Sequence, residues 1–221
     1  MLRCELLILL GCNNSQVMAT TKIPALLQHI DRTLNRETQY GFSEYSELFE
    51  PKKYNTAMIT GHRWINTQGF KPYIEKLIMM AVNQGVKKFF CGMALGVDQL
   101  AAEVLIYKKL NWTAILPCAD QHILWKPRQQ SHYKKLLAQA TDHVCLYKNY
   151  SAGVMQARNS WMVKRSDICL AVFSGDPHGM GGGTATTFDM AKQKNLLIYQ
   201  YIPAERKYLI IEPSHHQLSL F

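Results

Sequence analysis

Short apolar runs alternate with longer amphipathic segments over most of the chain, from about residue 57 to residue 202. Residues 57–60, 88–91, 113–116, 144–147, 168–173 and 196–202 have the length and composition of buried strands. Apolar positions at helical spacing predict helices over 71–84, 97–110, 131–140, 153–165 and 184–193. About six strands alternating with helices predict an α/β fold, a doubly wound and mostly parallel sheet. Ahead of this alternation, Ile23, Leu26, Leu27, Ile30 and Leu34 predict an N-terminal helical arm, followed by a polar and aromatic stretch at 39–49. The expected organisation is an arm or extension at 1–55, one domain at 56–212 and an exposed tail at 213–221.

Composition narrows the class. The chain has 221 residues, 48% hydrophobic and 19% charged, enough for one substantial core. Net charge is +9, which permits an anionic partner without requiring one. The cysteines at 4, 12, 91, 118, 145 and 169 include no Cys-x-x-Cys pair, and the last four fall in or beside strand-like runs. Buried thiols in a reducing cytoplasm fit this pattern better than disulfides or zinc. The apolar run at 6–10 is too short for a secretory core or a membrane span; a lipoprotein-like Leu9-Leu10-Gly11-Cys12 suffers from the same shortness, and a translation start at Met18 is the plainer alternative. No membrane association is expected. No cofactor and no metal site are expected either, since the histidines are scattered and His215-His216 lacks further ligands.

The chemistry concentrates at 167–187, a strand, a glycine loop and a helix start in that order. Ser174, Gly175, Gly181, Gly182 and Gly183 let a ligand approach the backbone, and Thr184 and Thr187 offer hydroxyls at a helix N-terminus that favours a phosphate. A glycine-rich loop that binds nothing is the bland alternative. In a doubly wound sheet ligands sit at the carboxyl ends of the strands, so the other post-strand segments converge on this one. These are Thr60-Gly61-His62-Arg63, the turn from Gly92 through Gly96 to Asp98, and residues 117–128. His62 and Arg63 are candidates for phosphate oxygens, and Asp98 for a helix cap or a ribose hydroxyl. On the helix over 153–165, Met155, Arg158 and Met162 share a face, with Asn159 beside them; an arginine held among apolar neighbours needs an anion or a carboxylate partner.

Taken in order, Thr60-Gly61-His62-Arg63, residues 91–98, Met155-x-x-Arg158-Asn159-x-x-Met162, Ser166-Asp167 and Gly181-Gly182-Gly183-Thr184 resemble the SLOG superfamily, with the YpsA-like branch the nearest pattern. The resemblance covers about 57–203 and implies a Rossmann-like domain that binds a nucleotide or related phosphorylated ligand through these residues. It also implies a homo-oligomer. Two related families pull in different directions. Lonely Guy proteins are nucleoside monophosphate phosphoribohydrolases, and the DNA-processing protein A family, similar in Gly-Met-Ala-Leu-Gly-Val-Asp, binds single-stranded DNA. Alignment on Gly183-Thr184 places Thr187 where the Lonely Guy pattern has its catalytic glutamate, so N-glycosidase activity is expected to be absent or very weak.

Three classes of function follow: a non-catalytic nucleotide-type binding module connected with DNA metabolism, an N-glycosidase, and a free-nucleotide sensor unconnected with DNA. Single-stranded DNA is a candidate partner through Trp125, Lys126, Arg128, His132, Tyr133, Lys134 and Lys135, although such a mixture is more often a solvated helix face with an aromatic lid. The final five residues, Gln217-Leu218-Ser219-Leu220-Phe221, resemble the bacterial sliding-clamp binding motif. In that motif Leu218 and the Leu220-Phe221 pair would serve as apolar anchors and the Gln217 amide as a backbone ligand.

Overall fold

The structure is a computed structural model that describes residues 54–65, 68–175 and 182–213. The expected N-terminal arm, Gly181 and the motif at 217–221 lie outside the described residues. Strands β1 (Thr56–Gly61), β2 (Lys88–Cys91), β3 (Trp112–Cys118), β4 (Asp142–Tyr147), β5 (Ile168–Val172), β6 (Leu197–Ile202) and β7 (Lys207–Ile211) form one sheet in the order β4-β3-β2-β1-β5-β6-β7. The first six run parallel and β7 pairs antiparallel with β6. Helices α1 (Lys71–Asn83), α2 (Val97–Tyr107), α3 (Pro127–Leu137), α4 (Val154–Lys164) and α5 (Gly183–Gln193) make the crossovers.

Two cores explain the layers. Ala57, Ile59, Leu170, Val172, Phe89 and Leu116 point to one face, packed with Ile74 and Leu77 of α1, Leu100 and Leu105 of α2 and Tyr133 of α3. Met58, Phe90, Ile115, Cys169 and Ala171 point to the other, packed with Met162 and Val163 of α4 and Phe188 and Ala191 of α5. This alternation at a period of two in strands buried on both faces is why they read as continuous apolar runs. The chain starts at β1, works outward to β4, then returns to β5 beside β1. The gap between β1 and β5 is therefore the switch point where the crossovers change sides of the sheet.

Two polar fixtures hold that switch point. The Asp167 carboxylate, just before β5, accepts from the N–H groups of Asn55 and Thr56, both at 2.9 Å, and from the Thr56 hydroxyl at 2.9 Å, which pins the start of β1 against β5. The Lys194 ammonium donates to the carbonyls of Val163 at 2.9 Å, Lys164 at 2.7 Å and Ser166 at 3.1 Å, closing the C-terminus of α4 with a positive charge where its dipole is negative.

The structure departs from expectation in three places. A seventh strand, β7, follows the turn at 203–206, where Arg206 has φ 52°. Its exposed positions, Lys207 and Ile210, are not in period-two register, so no alternating pattern announced it. Helix α3 begins at Pro127 rather than at residue 131: proline suits the first turn, and the Gln129 side chain accepts from the Lys126 N–H at 3.0 Å. Cys91, Cys118 and Cys169 are buried thiols, whereas Cys145 is exposed because β4 is an edge strand.

Candidate functional site

A cleft of about 880 Å³ opens over the carboxyl ends of the central strands. Thr60 and Gly61 at the end of β1 and Gly183 and Thr184 at the start of α5 line it beside the switch point. Ala94 and Asp98 after β2, residues from Asp120 to Trp125 after β3, Tyr150 after β4, and Met155, Arg158 and Asn159 of α4 complete the wall.

The floor is an ion pair. Arg158 and Asp98 are 4% and 5% exposed, with Arg158 Nη1 lying 3.8 Å from Asp98 Oδ2. The guanidinium also donates from Nη1 to the Gly92 carbonyl and from Nε to Asn159 Oδ1 at 2.8 Å. Asp98 Oδ2 accepts the Ala94 N–H at 3.2 Å, so this carboxylate ties the preceding turn and does not cap α2 itself. Burial pushes the Asp98 carboxyl up and the Arg158 guanidinium down, and each partner's charge opposes the other's shift. Arginine needed a partner at this depth, and Asp98 is that partner.

The glycines around the pair make room for protein rather than for ligand. A Cβ on Gly92 would stand 2.6 Å from Arg158 Cζ and 2.9 Å from Asp98 Oδ2. Gly96, at φ +89°, lets the turn after β2 press on the turn after β1: a Cβ there would meet the carbonyl oxygens of His62 and Arg63, each at 2.5 Å. The same crowding holds the buried Met93 at φ 57°. Two post-strand turns are thus packed into one rigid rim.

The anion-attracting end is the start of α5. Its N-cap is Gly182, and among the described residues no side chain caps the first turn and no acidic residue lies in that turn. A helix left open in this way presents N–H groups and a positive dipole end. Thr184 donates its hydroxyl to the Gly61 carbonyl at 2.9 Å, which ties α5 to β1 across the switch point. Asn159 Nδ2 donates to the Gly183 carbonyl at 3.3 Å, so α4 and α5 are joined at the same spot. Arg63, exposed at the rim, adds a guanidinium.

Several of the residues read from the sequence stand elsewhere. The His62 ring stacks on Trp64 with centroids 5.0 Å apart, and its Nε2 accepts the Ser174 N–H at 3.1 Å; burial lowers its pKa and favours this neutral acceptor form. It therefore bridges the turns after β1 and β5. Ser174 and Gly175 line a second cleft of about 480 Å³, together with Asp189, Lys192 and Gln200. Thr187 is fully buried and its hydroxyl donates back to the Gly183 carbonyl within α5. Tyr133, a stacking candidate, is buried under His122 and Trp125, and His132 pairs with Glu103 at 2.9 Å. Of that mixed stretch only Trp125 reaches the cleft.

Conversely, the loop after β3 supplies lining that no motif marked. Ile123 is 64% and Leu124 94% exposed, and with Trp125 and Tyr150 they form an apolar and aromatic wall. The available signal was three large apolar residues in succession inside an otherwise polar loop. Among the described residues no cluster of acidic, histidine and cysteine side chains could hold a metal ion, and no helix is long and apolar enough to cross a membrane.

Comparison with known proteins agrees with this geometry at the level of fold. Relatives include a UPF0398 protein of Bacillus cereus, 26% identical over 116 residues that make up 49% of this chain and 63% of the relative. A UPF0398 protein of Halalkalibacterium halodurans is 28% identical over 116 residues, 49% of this chain and 61% of the relative. The chain thus spans less than two thirds of the curated relatives it matches. Among solved structures, DNA processing protein A from Streptococcus pneumoniae superposes with a TM-score of 0.51 at 15% identity, covering 67% of this chain and 50% of that one. The profile of the YspA SLOG family matches residues 59–206, and these residues contain both the switch-point cleft and its buried ion pair: the chain belongs to the YspA SLOG family.

Proposed function

We propose that the chain is a non-catalytic binding module for a nucleotide-type ligand, whose phosphate rests on the N-terminus of α5 and whose base lies against Trp125 and Tyr150. The observation that carries this reading is the lining of the cleft. The start of α5 lines it at Gly183 and Thr184, and an apolar and aromatic wall of Ile123, Leu124, Trp125 and Tyr150 lines it after β3 and β4, where Arg63 joins Trp125 and Met155 around a small adjoining pocket. Among the described residues the charged lining side chains are Arg63, Arg158, Asp98 and Asp120, two of each sign, with Arg158 already paired. Such a balance suits a ligand with few phosphates better than a strand of them. Thr187 has no ionisable group and is wholly buried, and Asp189, one of two carboxylates that could stand in for it, lines the second cleft, which disfavours the N-glycosidase alternative; the other, Asp176, lies outside the described residues.

The experiment is a thermal-shift screen of nucleoside mono-, di- and triphosphates, ADP-ribose, cyclic dinucleotides and short single strands. A compound at a hundred times its dissociation constant should stabilise by about 2.7 kcal/mol. Stabilisation by single strands and by no free nucleotide would replace this reading with one of nucleic-acid binding. Release of free base from a nucleoside monophosphate at about one turnover per second or faster would establish the N-glycosidase instead.

The connection with DNA metabolism rests on Gln217-Leu218-Ser219-Leu220-Phe221. Bound to a sliding clamp, this peptide would insert Leu218 and the Leu220-Phe221 pair into one groove, with affinity around micromolar per copy. Calorimetric titration of the host's clamp with the full chain and with a chain ending at His216 tests this directly. Binding should be seen with the first and lost with the second. Equal binding by both, or none by either, would remove the DNA-metabolism part and leave a free-nucleotide sensor.

A further inference from the structure

Among the described residues strand β4 is an open edge of the sheet. There it pairs only with β3, and among its residues Asp142, His143, Cys145 and Tyr147 are exposed while Val144 and Leu146 are half-buried. Tyr147, at 47% exposed, and a free thiol at Cys145 are unusual on a strand edge, which proteins commonly guard with charge, proline or a bulge. The opposite edge, β7, is guarded in this way, with Lys207 exposed in it and Glu212-Pro213 directly after it.

The backbone of β4 fixes how a partner strand could add. Thr141 N–H bonds to the Trp112 carbonyl at 3.0 Å, and the Tyr147 carbonyl accepts the Ala119 N–H at 3.2 Å. Odd-numbered positions therefore direct their backbone groups inward to β3, and the even-numbered positions 142, 144 and 146 direct theirs outward. Two copies related by a twofold axis must pair outward positions with outward positions, which allows only alignments whose paired numbers have an even sum. Of these, the alignment centred on Cys145 pairs the strand over its whole length. It sets Asp142 against Lys148 of the second copy, and the reverse, so opposite charges meet at both ends. Val144 meets Leu146, His143 meets Tyr147, and Cys145 meets its own copy at a closely spaced, non-hydrogen-bonded position. Shifting the centre to Val144 or Leu146 loses the charge match.

We propose that β4 is a homodimer seam, at which two copies of this chain join antiparallel about Cys145 into one continuous fourteen-stranded sheet of twice seven strands. The seam lies at the margin of the sheet, away from the switch point between β1 and β5, so it can form without occupying the nucleotide cleft.

The test uses the full chain. Sedimentation equilibrium should give a dimer. A short bismaleimide, whose two rings each add one thiol, should convert it to a covalent dimer in a background with Cys4 and Cys12 changed to serine. Cys145→Ser should abolish the cross-link without dissociating the dimer. Asp142→Lys should weaken association at least about tenfold by placing two lysines opposite each other, and Asp142→Lys combined with Lys148→Asp should restore it. A monomeric wild type, a cross-link that survives Cys145→Ser, or a charge swap that fails to rescue would each overturn the proposal. A monomer whose Cys145 also resists alkylation would show that other parts of the same chain cover the edge.

Discussion

Arg158→Ala should lower the unfolding free energy by about 3–5 kcal/mol at neutral pH, the cost of breaking a buried ion pair and leaving one charge behind. The charge left behind is Asp98, 5% exposed, whose only other described contact at its carboxylate is the Ala94 N–H at 3.2 Å. The Gly92 carbonyl and Asn159 Oδ1 lose their donor at the same time. The pH dependence has a definite sign. Burial already raises the Asp98 pKa above its unfolded value, and removing the guanidinium raises it further. A carboxyl raised in the folded state is harmless below its unfolded pKa of about 3.9, costs progressively more stability as pH climbs from there, and reaches its full cost once pH passes the folded one. The penalty of Arg158→Ala relative to wild type should therefore be largest at neutral pH and shrink below about pH 4. Urea melts of both proteins at the two pH values decide it; a loss under about 1 kcal/mol, or one that ignores pH, would mean the pair is not a structural unit.

Gly96→Ala should be nearly as damaging, for reasons of backbone alone. The added Cβ stands 2.5 Å from two carbonyl oxygens, and φ +89° is a conformation that alanine resists. Over-packing against backbone costs about 1–3 kcal/mol, and φ +89° with ψ −128°, a backbone region used almost only by glycine, about 1–3 kcal/mol more. Backbone cannot rotate out of the way as a side chain does, so the turns after β1 and β2 must separate. Loss of ligand-induced stabilisation should accompany the fall in melting temperature. Gly153→Ala is the comparison: at φ +89° and ψ −14° it sits in the left-handed region and nothing lies within 4 Å of a Cβ there, so it should cost only about 1–2 kcal/mol, less than Gly96→Ala. Equal losses in the two variants would show that the close approach of the turns carries no energy.

The two glycines show how far a sequence can be read. Strand and helix periodicity revealed six of seven strands, because burial on both faces writes itself as apolar runs. The alternating crossovers then located the switch-point edge, and with it Thr60, Gly61, Arg63, Asp98, Arg158, Asn159, Gly183 and Thr184, all of which line or floor the cleft except where they serve as its joints. What spacing could not reveal was which residues serve one another. Asp98 and Arg158 are sixty positions apart and looked like a cap and a ligand; their pairing is a tertiary fact. Gly92 marked only a turn after a strand, and the space it leaves belongs to a guanidinium. His62 suggested a phosphate contact, yet its ring accepts the Ser174 amide. Ile123 and Leu124, which extend the wall from Trp125, escaped notice because loops carry no periodicity, and β7 because edge strands need not alternate.

The central claim is that a phosphate sits on the start of α5. Among the described residues a Cβ at Gly183 would meet only Asn159 Nδ2, at 3.9 Å, so a larger residue fits there without pressing on the described fold. Gly183→Glu would place a carboxylate where the anion belongs while itself favouring the helix N-terminus, so the unliganded protein should melt as the wild type does. The decisive measurement is a calorimetric titration of wild type and Gly183→Glu with the nucleoside monophosphate that gives the largest shift in the screen. At least about tenfold weaker binding by the variant, equivalent to about 1.4 kcal/mol, is the predicted result. Equal affinity for two equally stable proteins would contradict it and move the phosphate elsewhere.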